Sequence, residues 1–186
     1  MTKRLDTILV VDLEATCWEG SPPAGQEHEI IEIGLCLLEV ATLERVEKRA
    51  ILVRPARSVI SPYCTELTTL TQEEVEREGI PLAVACDLLR GTYQSQTCPW
   101  ASYGEYDRQQ LERECRRKGV DYPFGARHLN VKTLFALAHA LPREVPLDKA
   151  LRLRGFSLEG THHRGLDDAW NIARLLAELL GKVRNS

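Results

Sequence analysis

Apolar residues in the N-terminal third of the chain recur with the spacing of β-strands. Residues 8–11 form an unbroken apolar run, typical of a strand that is buried on both faces at the centre of a sheet. Residues 30–40 predict a second strand, and residues 45–54, which end before Pro55, predict a third. One face of the second strand carries Ile31, Ile33, Leu35 and Leu37. The short links between these strands predict an antiparallel meander.

Helical spacing dominates the remainder of the chain. The clearest helix covers residues 165–180, where apolar residues follow a 3.6-residue period and Gly181 is expected to end the helix. Thr71 and Glu74 form a capping box at the start of an earlier helix. Residues 100–103 predict a fourth strand. Further helices are predicted at residues 81–89, 105–118 with Gly119 as its end, 131–141 between Asn130 and Pro142, and 147–154. This order of elements predicts a three-layer α/β domain with a mixed sheet.

Composition limits the classes of protein that the chain can represent. Its 186 residues are enough for a substantial core, and we expect residues 1–186 to form a single domain. No apolar run reaches the ~18 residues that a membrane span requires. Residues 1–6 lead directly into the first strand without a signal peptide, which predicts a cytoplasmic protein.

The cysteines and the net charge narrow the choice further. No two cysteines form a CxxC pair or a zinc-like spacing, so we expect free thiols that pack as small hydrophobic residues. A net charge of -3 argues against a protein that coats nucleic acid in bulk. It does not exclude an enzyme that meets phosphate groups through metal ions.

Two acidic residues follow the apolar run of the first strand. Because strand side chains alternate, Asp12 and Glu14 are expected to project from one face while Leu13 returns to the core. Neighbouring carboxylates raise each other's pKa unless a cation neutralises them, and Mg²⁺ is commonly held by one or two carboxylates with water and phosphate. The alternative is that both residues only end the strand before a turn.

Three further residues extend this candidate site. Asp107 begins the helix after the fourth strand, where it would either stabilise the helix N-terminus or face a metal. Asp168 lies early in the last helix, and His163 precedes it in a glycine-containing loop, where a histidine is often only structural. Two-metal hydrolysis of a phosphodiester needs carboxylates from several elements, and a neutral imidazole can take the proton of the attacking water.

These residues resemble a known set of motifs. Asp12-Leu13-Glu14, Tyr106-Asp107 and His163-Arg164-Gly165-Leu166-Asp167-Asp168 look like the three motifs of the DEDD exonucleases of the histidine subtype, in their usual order. The chain is similar in particular to the Eri-type 3′-5′ exoribonucleases over residues 7–180. Residues 11–17, 28–32, 67–71 and 165–174 carry that closer similarity.

The resemblance implies a fold, a cofactor and residue roles. The fold is ribonuclease H-like, with a central mixed five-stranded sheet flanked by helices, and the cofactor is a pair of Mg²⁺ or Mn²⁺ ions. Asp12, Glu14 and Asp168 would hold one ion, Asp12 would also bind the second, and Asp107 would support the second. His163 would be the general base, and Asp167 a bystander. The implied substrate-binding residues are Leu13, Ala15 and Thr16 near the terminal sugar, Tyr63 and Tyr106 at the terminal base, and Arg164 at a phosphate.

The function expected from this resemblance is metal-dependent 3′-5′ exonuclease activity on single-stranded nucleic acid, with RNA favoured and nucleoside 5′-monophosphates released. A DNA proofreading or repair exonuclease is the first alternative, and a catalytically silent nucleic-acid-binding module is the second. Tyr63 is expected in a loop at residues 61–63. Simple packing roles for Tyr63 and Tyr106 also remain open. No membrane contact is expected, and no protein partner can be inferred.

Overall fold

The computed structural model describes residues 5–185, which form a five-stranded mixed sheet and seven helices. Residues 1–4, part of the segment predicted to lead directly into the first strand, lie outside the described residues. The strands are β1 (Thr7–Ala15), β2 (Ile30–Glu39), β3 (Arg45–Leu52), β4 (Trp100–Ser102) and β5 (His128–Asn130). The helices are α1 (Pro62–Thr68), α2 (Gln72–Glu78), α3 (Leu82–Thr92), α4 (Tyr106–Lys118), α5 (Val131–Ala138), α6 (Leu147–Leu153) and α7 (Gly165–Arg184).

The predicted meander is present, and β1 lies at the centre of the sheet. The strand order is β3-β2-β1-β4-β5, with β1 antiparallel to β2 and parallel to β4. The fully buried apolar run of β1 contributes to both faces of the sheet. Leu9, Val11 and Leu13 pack with α3 and α4, whereas Ile8 and Val10 pack with α7. The mixed three-layer architecture predicted from the sequence is therefore confirmed.

Helix α7 lies against β1 and β2 at very short range because two glycines face each other. A Cβ atom added to Gly34 would lie 1.8 Å from the carbonyl carbon of Gly165, and one added to Gly165 would lie 2.9 Å from the carbonyl oxygen of Asp12. Only a residue without a side chain permits this approach. It brings the first turn of α7 directly over the end of β1.

The expected ends of three helices were wrong. Helix α3 continues to Thr92 rather than ending at residue 89. Gly181 does not end α7, which continues to Arg184, whose guanidinium donates to the carbonyl of Ala41 at 3.1 Å. Helix α5 ends at Ala138 rather than at residue 141, and Leu141 donates its N–H to the Ala136 carbonyl at 2.9 Å. The supposed loop at residues 61–63 is the start of α1, in which Ser61 is the N-cap. The fifth strand, β5, is only three residues long and has one apolar residue, so its sequence carries no strand pattern.

Other local predictions were correct. Thr71 accepts the N–H of Glu74 at 3.1 Å, one of the two hydrogen bonds of a capping box, and Asn130 accepts the N–H of Thr133 at 3.0 Å. Gly119 ends α4 in the left-handed conformation with φ 64°. All six cysteines are free. Within residues 5–185, no helix has the length and apolar character needed to cross a membrane.

Candidate active site

The two acidic residues of β1 project on the same side of the sheet, towards α7. Because Asp12 and Glu14 alternate with Leu13, they follow Ile8 and Val10 onto the α7 face. There they meet Asp168 from the first turn of α7. One carboxylate oxygen from each of Asp12, Glu14 and Asp168 lies within 4.8 Å of the other two. The close contact between α7 and β2 is therefore what completes this group of three acids.

Asp107 joins these acids from the first turn of α4. Its side chain is 5% exposed, and its Oδ1 accepts the backbone N–H of Leu13 at 3.0 Å. The carboxylate therefore faces β1 and lies beside Asp12 and Glu14. Asp107 therefore occupies the first turn of α4 and also lines the cavity.

All four acids line one cavity of about 320 Å³. Among the described residues that line it there is no Lys or Arg. The wall is completed by aromatic, apolar and imidazole side chains. The lining residues are Asp12, Leu13, Glu14, Tyr103, Tyr106, Asp107, Pro146, Leu147, His162, His163 and Asp168.

Burial without cations raises the pKa of each acid. For Asp12 the cause is desolvation first, followed by the charges of Asp107, Glu14 and Asp168, and its pKa lies well above the ordinary value. Desolvation, followed by the charge of Asp168, raises the pKa of Glu14 to about 9. Desolvation raises the pKa of Asp107 to about 7. Such a group of carboxylates has the donor atoms and the uncompensated negative charge that suit a hard divalent ion.

His163 enters the cavity from the loop that precedes α7. Its backbone N–H donates to Asp168 Oδ2 at 2.8 Å, which ties the loop to the first turn of the helix. Desolvation by burial, with a smaller contribution from His162, lowers the pKa of the His163 imidazole below 6.5. The ring is therefore neutral at neutral pH and able to accept a proton.

Sequence reasoning missed two residues of this region, His162 and Glu32. The Nδ1 atom of His162 lies 3.1 Å from Asp168 Oδ1. Glu32 is fully buried and is paired with Glu14 in the β1–β2 register. Its Oε2 accepts the N–H of Gly165 at 3.0 Å. His162 could have been suspected from its place beside His163, whereas the position of Glu32 depends on strand register, which its local sequence does not reveal.

The candidate substrate-binding residues do not all lie at the same cavity. Tyr106 lines the cavity with Leu13, while Tyr63 lies in a separate surface groove together with Glu19 and Glu66. Ala15 and Thr16 are buried just beyond the acids, and the Thr16 hydroxyl donates to the Glu27 carbonyl at 2.9 Å.

The two remaining charged residues of the third motif, Arg164 and Asp167, lie outside the cavity. The Arg164 guanidinium contacts Glu32 Oε2 at 3.3 Å and donates to the Thr69 hydroxyl at 3.2 Å. Asp167 pairs with Lys48 and accepts the N–H of Thr161 at 2.7 Å. Neither side chain is among the residues that line the acid-containing cavity.

Comparisons with known proteins give one family. The family model described as Exonuclease (RNase_T) matches residues 9–176. The 3'-5' exoribonuclease 1 of Homo sapiens is 33% identical, over 94% of this chain and 52% of the relative. The 3'-5' exonuclease Snipper of Drosophila melanogaster is 29% identical, over 93% of this chain and 69% of the relative. The chain thus spans about half the length of the human relative.

The solved structures agree with this result. The nuclease domain of 3'hExo, a DEDDh family member, bound to rAMP, superimposes with a TM-score of 0.86 and 30% identity, covering 98% of this chain and 95% of that one. A structure described as 3'-end specific recognition of histone mRNA stem-loop by 3'-exonuclease has a TM-score of 0.84 and 30% identity, covering 96% of this chain and 83% of that one.

Proposed function

The chain belongs to the RNase_T exonuclease family, in the DEDDh group, and from this premise we propose that it is a metal-dependent 3′-5′ exoribonuclease. It would hydrolyse single-stranded RNA from the 3′ end and release nucleoside 5′-monophosphates. The observation that carries the proposal is the meeting of four acids and a histidine around one cavity. These residues come from the end of β1, the start of α4 and the segment leading into α7.

The donor set fits Mg²⁺ or Mn²⁺. Asp12, Glu14 and Asp168 would hold one ion, and Asp12 and Asp107 would support a second. When bound, such ions stabilise the negative charge that develops on the attacking and leaving oxygens of a phosphodiester. Their charge would also replace the missing basic side chains of the cavity, which explains why mutually repelling carboxylates are buried together here.

The remaining groups of the cavity suit binding and proton transfer. The neutral His163 imidazole would accept the proton of the attacking water. The Tyr106 ring, at the start of α4 and partly exposed, would stack on the terminal base, an interaction of ~1–3 kcal/mol that tolerates any sequence. Backbone groups of Leu13, Ala15 and Thr16 would lie near the terminal sugar. Tyr63 would contact the base only from the adjoining groove.

RNA is preferred over DNA in this proposal for one reason. The similar proteins of known name include exoribonucleases, and the superimposed nuclease domain is bound to a ribonucleotide.

Arg164 would contact a phosphate only by exchanging part of its present pairing with Glu32.

A gel time course with 5′-labelled oligonucleotides tests the proposal. RNA and DNA strands of one sequence are incubated with Mg²⁺, Mn²⁺ or EDTA. We expect a ladder that shortens one nucleotide at a time, forms faster on RNA and disappears in EDTA. Equal or faster shortening of the DNA strand would replace the ribonuclease assignment with the DNA exonuclease alternative. Absence of shortening with either metal would leave the silent binding module.

A further inference from the structure

His162 has an imidazole side chain, a common metal ligand, and the proposed reaction assigns it no role. Its Nδ1 atom lies 3.1 Å and 3.2 Å from the two carboxylate oxygens of Asp168. Its ring also stacks on that of His163, with centroids 4.0 Å apart and an interplanar angle of 23°. The cavity therefore contains an imidazole pair beside the acid that both rings approach.

The backbone explains how two consecutive side chains reach the same cavity. Successive residues of an extended chain point in opposite directions. His163 instead has φ 62°, in the left-handed region that a residue with a Cβ adopts only at a cost. The turn at this residue brings the rings of His162 and His163 together. The N–H of His163 holds the turn in place through its hydrogen bond of 2.8 Å to Asp168.

We propose that His162, His163 and Asp168 form a binding site for Zn²⁺ that differs from the all-carboxylate site in the ion it prefers. One ligand atom from each of these residues lies within 4.8 Å of the others. Tetrahedral zinc with bonds of about 2.0–2.2 Å needs ligand atoms roughly 3.3–3.6 Å apart. The spacing of 3.1 Å between His162 Nδ1 and Asp168 Oδ1 is already near this value. Because an imidazole lone pair lies in the plane of its ring, the stacked ring of His163 has to rotate out of the stack to direct its nitrogen at the same ion.

Ligand chemistry decides which ion prefers which group. Imidazole nitrogen suits Zn²⁺, whereas Mg²⁺ takes oxygen ligands and binds imidazole poorly. The group formed by Asp12, Glu14 and Asp168 offers only oxygen atoms, and the group formed by His162, His163 and Asp168 offers two nitrogens and one oxygen. Mg²⁺ should therefore prefer the first group and Zn²⁺ the second, and because the groups share Asp168, Zn²⁺ should displace Mg²⁺ even when Mg²⁺ is in large excess.

Occupancy by Zn²⁺ has a consequence that rests on the proposed function. The ion would take the lone pair of His163 that should accept a proton, and it would take Asp168 away from the Mg²⁺ site. Zinc should therefore inhibit RNA hydrolysis by competing for these two side chains. The inhibition should persist at Mg²⁺ concentrations that saturate the reaction.

Calorimetric titration of the full chain with Zn²⁺ in excess Mg²⁺ tests the site without any nuclease assay. We expect one zinc ion to bind per chain, and His162→Gln to weaken its binding at least about tenfold. His139→Gln is the matched control, because His139 lies at the end of α5 and contacts Lys182 instead of an acid. Asp12→Asn should leave zinc affinity within about threefold while it weakens Mn²⁺ binding.

A second arm measures RNA hydrolysis with added zinc, each rate being expressed relative to the same variant's zinc-free rate. His162→Gln should require at least about tenfold more zinc for half-inhibition than wild type or His139→Gln. Wild-type zinc affinity in His162→Gln would overturn the proposal. It would also be overturned if Asp12→Asn lost zinc and Mn²⁺ binding equally, because zinc would then occupy the carboxylate site. If no hydrolysis is found, the calorimetric arm still decides the zinc site, so the two proposals fail separately.

Discussion

Buried carboxylates occur in two neighbouring regions of this chain, and their surroundings differ. The paired cluster, which lies between α4 and the start of β2, consists of Glu29, Glu114, Arg117 and Lys118. The site cluster consists of Asp12, Glu14, Asp107 and Asp168. Glu29 and Glu114 are as fully buried as any residue of the site cluster.

In the paired cluster every buried negative charge has partners. Glu29 accepts N–H groups of residues 56–58 at 2.8–3.1 Å and contacts Lys118 at 2.9 Å. Glu114 accepts the N–H of Ile30 at 2.8 Å and also contacts Lys118 at 2.8 Å. Desolvation raises the pKa of Glu29, but the bonds from Lys118 and the backbone outweigh it and lower the pKa to about 2.

In the site cluster Glu14, Asp107 and Asp168 are also at most 9% exposed, but among the described residues no Lys or Arg lines their cavity. Desolvation, followed by the negative charges of Asp168, Glu32 and Asp107, raises the pKa of Glu14 to about 9, although the charge of Arg164 acts in the opposite direction. Burial alone therefore does not reveal whether a carboxylate stabilises the fold. Within the described residues, the partners of each acid distinguish a structural ion pair from a site that needs an added cation.

Replacing Asp12 by Asn should produce the largest effect and should separate activity from stability. We expect the rate of RNA hydrolysis to fall at least ~10³-fold, about 4 kcal/mol of transition-state stabilisation, because the residue would serve both metal ions. In EDTA the free energy of unfolding should rise by roughly 0.5–2 kcal/mol, since the variant removes a carboxyl group whose ionisation is opposed in the folded state by burial and by the neighbouring acids. Urea unfolding and the oligonucleotide gel measure the two quantities.

Asp167→Asn is the matched control for this substitution. Asp167 is adjacent to Asp168 in sequence but pairs with Lys48, outside the cavity. Its variant should retain activity within about tenfold of wild type. If Asp167→Asn abolished hydrolysis while Asp12→Asn did not, the assignment of the third motif would be wrong.

Replacing Glu29 by Gln should have the opposite effect on stability. Removing one member of a buried ion pair leaves Lys118 and Glu114 imperfectly matched, and the free energy of unfolding should fall by about 3–5 kcal/mol at pH 7. The rate per folded molecule should change little, because Glu29 does not line the cavity. Glu44→Gln, at an exposed position, is the control and should be neutral. Equal stability of Glu29→Gln and wild type would show that the ion pair contributes nothing.

The decrease in unfolding free energy at acid pH should also depend on Glu29. Because the folded-state pKa of Glu29 is about 2, below its ordinary value of 4.5, its stabilisation is present above about pH 4.5 and is lost as the pH falls towards 2. Wild type should therefore lose more stability than Glu29→Gln over this interval. Parallel curves of unfolding free energy against pH would contradict the lowered pKa.

Added metal should supply the positive charge that the site cluster lacks and that Lys118 provides in the paired cluster. At a Mn²⁺ concentration of 100 times the dissociation constant, wild type should gain about 2.7 kcal/mol in unfolding free energy. The gain should nearly vanish in Asp12→Asn and should be retained in Glu29→Gln. Thermal unfolding with and without Mn²⁺ measures it. A similar gain in all three proteins would place the bound metal outside the site cluster.

Local sequence was enough to predict the parts of the fold and site that depend on local physics. Strand alternation placed Asp12 and Glu14 on one face, and cap residues such as Thr71 and Asn130 marked helix starts correctly. The short strand β5 was not located because His128-Leu129-Asn130 is extended by its pairing with β4 rather than by its own apolar pattern. Gly181 was wrongly expected to end α7, because a tertiary contact of Arg184 with the Ala41 carbonyl lies beyond it and is not visible in the local sequence.

Tertiary contacts explain why the site was predicted only in part. Nothing in the sequence around Glu32 separates it from Glu29, which lies in the same short segment. Strand register decides the difference, since Glu32 pairs with Glu14 and Glu29 contacts Lys118. The stacking of His162 on His163 likewise depends on the left-handed backbone conformation of His163. A glycine would have indicated such a conformation in the sequence, but a histidine does not.

Glu32 is intermediate between the two clusters, so its substitution gives the smallest and most discriminating effect. It lies beside Glu14 but, like Glu29, it has partners: the N–H of Gly165 at 3.0 Å and the guanidinium of Arg164 at 3.3 Å. We expect Glu32→Gln to lower the hydrolysis rate about 10–100-fold, as loss of an outer partner of a metal site does, because the first turn of α7 carries Asp168. The Mn²⁺ affinity should weaken by a similar factor, while the KM for RNA stays nearly constant. A changed KM with unchanged metal affinity would mean that Glu32 acts through Arg164 on the substrate instead of through α7 on the metal site.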